Sequence, residues 1–136
     1  MPSPSVIARL SDEPRGRTAA GWLLRIALAV PVAYHGGWNL APAGRAWWSA
    51  SDLPAALGIA VGVAELLAVI ALLSGLLSRL AAVGLVLIFA GAVPHHVPMG
   101  FSFKTGGIEP LVVYVLLALA IVVERRRVPF IPGATT

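Results

Sequence analysis

The chain has 136 residues, 58% of them apolar and 12% charged, with a net charge of +4 and no cysteine. A soluble domain carries about a quarter charged residues, so this composition excludes a disordered chain, a nucleic-acid-binding domain and a water-soluble globule. Without thiols, no disulfide, thiolate redox centre, cysteine-bound zinc or iron–sulfur cluster can be built from this chain alone.

Residues 1–18 are polar, with Pro2, Pro4 and Pro14 among the charges Arg9, Asp12, Glu13, Arg15 and Arg17, and read as a cytoplasmic tail. A cleaved secretory signal is the competing reading, because Ala41-Pro42-Ala43 mimics a small-residue cleavage site. The long polar lead, and Arg25 and His35 within the apolar stretch, argue against it. A first span is expected over about 19–38, interrupted by Arg25 and Pro31, followed by a Gly-, Pro-, Trp- and Ser-rich linker over 39–52. The second span, about 53–77, opens on Pro54, whose missing N–H costs nothing in a first helical turn. Ser78 and Arg79 make a connection so short that the second and third spans must form an antiparallel hairpin. The third span, about 80–97, is broken near its end by Pro94 and Pro98. A loop carrying Lys104 and the flexible pair Gly106-Gly107 leads to the fourth, about 108–123, and residues 124–136 form a basic tail. Backbone groups in hydrocarbon find partners only within their own helix, and the continuous apolar runs lack the alternation of a membrane barrel. The expected fold is all-α, a four-transmembrane-helix bundle.

Four crossings put both ends on one side. That side collects Arg9, Arg15, Arg17, Arg79, Arg125, Arg126 and Arg127, against Arg45 and Lys104 on the other. The excess of cations places both termini and the Arg79 turn in the cytoplasm. Trp38, Trp47, Trp48, Phe101 and Phe103 then suit the outer interface, as anchors rather than a substrate cage.

A charged side chain within a span costs roughly 2.5–3.5 kcal/mol on insertion scales, so Arg25 and Glu65 need an account. Glu65 shares a helix face with Gly58 and Gly62, a small-residue stripe that lets another helix approach, so it is expected to point into the bundle. It reads either as a ligand- or proton-handling carboxylate or as half of a structural pair with Arg25. A second polar set lies at the outer ends of the spans: His35, His95, His96 and Glu109. His95 shares a face with Gly84 and Gly91, which is expected to turn it inward. These groups have the chemistry to bind a metal, relay protons or hydrogen-bond a polar head group; the plainer reading has them capping helix ends and loop carbonyls. They come from three helices without the paired spacing of a dedicated metal site, and no metal is expected. Adjacent His95 and His96 diverge by about 100° on a helix, which suits haem poorly.

The segments Leu24-Arg25 through Tyr34-His35-Gly36-Gly37-Trp38, Val61-Gly62-Val63-Ala64-Glu65-Leu66-Leu67 and the Arg79 turn resemble the DoxX family. So does His96-Val97-Pro98-Met99-Gly100-Phe101 followed by Gly106-Gly107-Ile108-Glu109-Pro110-Leu111, similar to that family's histidine, glycine-phenylalanine and Gly-Gly-x-Glu signature. The likeness covers about 19–123; order and spacing carry its specificity, since each motif is short. The sequence departs in the His95-His96 pair and in Pro98-Met99, where members often carry Pro-Asn, which removes a side-chain amide there. The resemblance implies a small four-helix protein of the cell inner (plasma) membrane. Relatives include a subunit of an archaeal thiosulfate:quinone oxidoreductase and a membrane partner in mycobacterial thiol and superoxide detoxification. It therefore implies an accessory subunit beside a redox-protein partner, uncatalytic alone, with quinone as the ligand at His35, Glu65, His95, His96 and Glu109 and no covalent cofactor. Membrane lipids and a second copy of the chain, as a homo-oligomer, are compatible partners; nucleic acid is not. The alternative is a non-catalytic anchor or assembly factor whose loops or basic tail dock a partner. A small transporter would have to oligomerise to build inverted repeats.

Overall fold

The computed structural model describes residues 19–51 and 53–124; the expected tails 1–18 and 125–136 lie outside the described residues. Among those residues every regular element is helical: α1 (Ala19–Leu40), α2 (Pro42–Ala50), α3 (Ala55–Ser74), α4 (Ser78–His96) and α5 (Glu109–Val123). Short 3-10 turns at Val97–Met99 and Phe103–Thr105 shape the connection between α4 and α5.

Two boundaries differ from the sequence reading. The segment expected as a linker contains α2, which starts on Pro42 after an extended Ala41 and closes where the Ser51 N–H meets the carbonyls of Trp47 and Trp48 at 3.1 and 3.2 Å. Proline in the first turn sacrifices only an N–H that has no helical partner. The turn expected at Ser78–Arg79 lies three residues earlier. Gly75, at φ 74°, ends α3 in the left-handed conformation that glycine adopts without penalty, and its N–H bonds Ala71 O at 3.0 Å. Leu77 follows at φ 60°, the only non-glycine residue with positive φ among those described. Ser78 and Arg79 thus belong to the first turn of α4.

α1 and α3 approach through glycines. A methyl group on Gly36 would sit 3.0 Å from the Gly62 carbonyl oxygen, and one on Gly62 would sit 3.0 Å from that of Gly36. Small residues allow such backbone contact, where dispersion replaces the hydrophobic effect as the attraction between helices in lipid. Nearer the Gly75 turn, Leu28, Val32, Leu72, Leu85, Phe89 and Ile121 fill the space between the four long helices. That end is also tied by polar groups. Arg25 Nη2 meets Glu124 Oε2 at 3.3 Å, and the Arg79 guanidinium donates to the Glu124 main-chain carbonyl.

The expected Arg25–Glu65 pair is therefore replaced by Arg25–Glu124. The reason is axial level. From the Gly36–Gly62 contact, Arg25 is eleven residues back along α1 and Glu65 three residues on along α3. Because the two helices are antiparallel, both displacements run the same way, roughly 16 and 5 Å at 1.5 Å per residue, leaving about 12 Å between their levels.

Polarity is distributed inside out. Arg25, Asn39, Glu65 and Ser78 are buried, whereas Leu23, Ile70, Leu116 and Val123 are each more than 60% exposed. α3 and the run Ser78–Met99 are long and apolar enough to cross a membrane; α5 is a shorter apolar helix.

Candidate functional site: a cavity over a buried carboxylate

On α4 full burial stops at Phe89, and beyond it the helices border an open cavity of about 660 Å³ at the tryptophan end. α1 contributes Tyr34, His35, Trp38 and Asn39; α2 contributes Trp47 and Trp48; α3 contributes Leu57, Val61 and Glu65. Ile88, Phe89, Gly91, His95 and His96 form the α4 wall, and Leu111 closes it from α5. Among these lining residues there is one carboxylate and no lysine or arginine. The size lies within the usual range for small-molecule sites, which are mostly apolar with a few placed polar groups.

The polar groups form a chain. Trp48 Nε1 donates to Asn39 Oδ1 at 2.9 Å, and Asn39 Nδ2 donates to Glu65 Oε2 at 2.9 Å. His35 Nδ1 lies 3.8 Å from Glu65 Oε1. Glu65 is 1% exposed and Asn39 3%. The glycine stripe of α3 makes this chain possible. A Cβ at Gly58 would run into the Trp48 indole, and one at Gly62 would meet Asn39 Cβ at 3.0 Å. The same stripe that turns Glu65 inward thus receives α2 and the end of α1.

The remaining expected site residues divide. His35, Glu65, His95 and His96 line one cavity, but Glu109 does not. Its Oε2 accepts the Phe103 N–H at 3.0 Å, which pins the loop before α5. His96 also holds that loop: its Nδ1 donates to Gly106 O at 2.6 Å, since a carbonyl can only accept, leaving Nε2 as the lone-pair nitrogen of a neutral ring. His95 sits at the exposed rim and not inside. Gly84 and Gly91, which share its face, have nothing within 4 Å of an added Cβ, and at Gly91 that open space borders the cavity. Among the described residues no three His, Asp or Glu side chains converge as a metal-binding group.

Sequence reasoning missed Asn39 and Trp48, reading one as linker and the other as an interfacial anchor. Asn39 stands four residues after His35, one helical turn on the same face, which was a usable signal once α1 is carried past Trp38. Trp48 left none, because its reach to Asn39 depends on how α2 folds back.

A helical bundle with an apolar exterior, a buried polar chain and a ligand-sized cavity at one end defines an integral membrane protein. The sequence model of the DoxX family matches residues 21–104, and the chain belongs to that family. The match ends before Gly106-Gly107-Ile108-Glu109 and α5. No curated protein and no solved structure matches the chain.

Proposed function

We propose that this protein is an accessory subunit of a quinone-linked redox complex in the cell inner (plasma) membrane, and that the cavity over Glu65 holds a quinone head group. The chain crosses four times, with both ends in the cytoplasm and the cavity toward the outer face. The cavity carries the reading: it is apolar-walled, of ligand size, and floored by a carboxylate and an imidazole within hydrogen-bonding reach of one bound oxygen. Electrons come from a partner in this reading, and the sequence has no cysteine to supply a thiolate centre.

The test is native mass spectrometry of protein extracted from its host membrane, with quinone extraction of the same sample. A stoichiometric quinone and a co-purifying redox subunit are expected; a bare protein with ordinary phospholipids overturns the reading. Topology is checked with single cysteines, which need no background removal. Ser49→Cys and Ser102→Cys should react with an impermeant maleimide in intact cells, and Leu76→Cys only after lysis.

A second reading, a non-catalytic anchor or assembly factor, is favoured by one observation. His96 and Glu109 both fix the loop that presents Phe101 and Phe103, each more than 60% exposed. Replacing these two phenylalanines by serine should release a docked partner if that reading holds, while quinone content would not change.

A further inference from the structure

The hydrogen-bond chain at the cavity floor has a direction. Indole Nε1 is only ever a donor, so the Asn39 atom 2.9 Å from it must be the amide oxygen. The amide NH2 is thereby turned to Glu65, and Oε2, 2.9 Å away, accepts from it. One carboxyl oxygen is committed by two residues that do not line up with it in sequence. The other, Oε1, is the one that faces His35 Nδ1 across 3.8 Å, too far for a direct hydrogen bond. An oxygen atom placed beside that gap reaches both at ordinary hydrogen-bond length.

We propose that Trp48 and Asn39 are positioning residues that fix the donor–acceptor polarity of the cavity floor, so that the site selects a hydroxyl-bearing ring head group, the hydroquinone form, over its carbonyl counterpart. The inference rests on the quinone reading above and deepens it. A hydroxyl donates to Oε1 and, with the His35 proton on Nδ1, accepts from that N–H in one position. With Glu65 ionised, as the proposal requires, a carbonyl oxygen can only accept and would face Oε1 lone pair to lone pair. A site whose buried polar group is built for a hydroxyl rejects an analogue that lacks one, because its own group is left unpaired.

Polarity fixed in this way makes an unusual prediction for Glu65→Gln. The chain would hold the new amide with its oxygen toward Asn39 and its NH2 where Oε1 stood. The cavity floor would then donate and not accept, and selectivity should reverse toward the carbonyl form. Removing the indole donor in the double variant Trp48→Phe/Glu65→Gln leaves both amides free to turn, so the reversal should fade.

The experiment is anaerobic equilibrium dialysis of the detergent-solubilised protein with a single-isoprene hydroquinone and the matching quinone. Wild type should bind the hydroquinone about tenfold more tightly, Glu65→Gln the quinone by a similar factor, and the double variant neither preferentially. The wild-type comparison needs no variant to fold. Equal affinities, or a preference for quinone, overturn this inference and leave the quinone site standing. Failure to bind either compound removes the quinone reading itself, and this inference with it.

Discussion

Asn39→Ala is the sharpest test of what holds the tryptophan end together. The substitution removes the middle of a three-residue chain at a position 3% exposed. Two hydrogen bonds of 2.9 Å disappear, one from a neutral indole and one to a carboxylate. Neither former partner has another hydrogen bond in the described structure that would absorb it. A buried polar group left without a partner costs about 1–3 kcal/mol, more where it is charged. Water entering from the cavity would recover part of this, which puts the net loss at roughly 2–4 kcal/mol. The assay is equilibrium unfolding in mixed micelles, followed by far-ultraviolet circular dichroism and by tryptophan emission. The cost should shrink in a background that already lacks Glu65, since residues in one network are non-additive. Asn39→Asp should be worse than Asn39→Ala, because it sets an acceptor against an acceptor. A loss below about 0.5 kcal/mol, or strict additivity with Glu65→Ala, would refute the reasoning.

Three further outcomes follow from the packing and the ion pair. Gly36→Leu should destabilise by about 1–3 kcal/mol through overpacking against Gly62 and Glu65, whereas Gly84→Ala, with open space around it, should be neutral or stabilising by up to about 1 kcal/mol; unfolding of the two variants side by side checks the contrast. Glu124→Gln should cost about 1–3 kcal/mol by weakening the contact with buried Arg25, at the low side for a buried pair because Glu124 is partly exposed; combining it with Arg25→Gln should cost less than the sum of the two. Glu109→Gln should raise hydrogen exchange at the Phe103 amide by weakening its acceptor, while ligand affinity in dialysis stays unchanged, because Glu109 lies outside the cavity lining.

By itself the sequence determined the all-helical class, where the apolar helices run, and the inward face of α3. These are local properties. A 3.6-residue period with glycine at 58 and 62 sets the azimuth of Glu65 regardless of what packs there, and Pro54 marks the start of α3 through its own backbone limits; its end at Gly75, three residues before the expected turn, was read only from the structure. The candidate cavity was legible in part, since His35, Glu65, His95 and His96 all border it. Partners were not legible, because pairing depends on the level along each helix axis and on which helix is the neighbour. Arg25 and Glu65 sit on helices that touch, yet about 12 Å apart along the bundle, so Arg25 is met instead by Glu124, which caps the end of α5. His96 and Glu109 looked like site chemistry and serve to shape a loop, since the return of the chain after Gly100 brings Gly106 and Phe103 within their reach. Only the folding back of α2 across Gly58 sets Trp48 on Asn39, and that contact, between residues of no evident relation in the chain, gives the buried carboxylate one committed oxygen and one that faces the cavity.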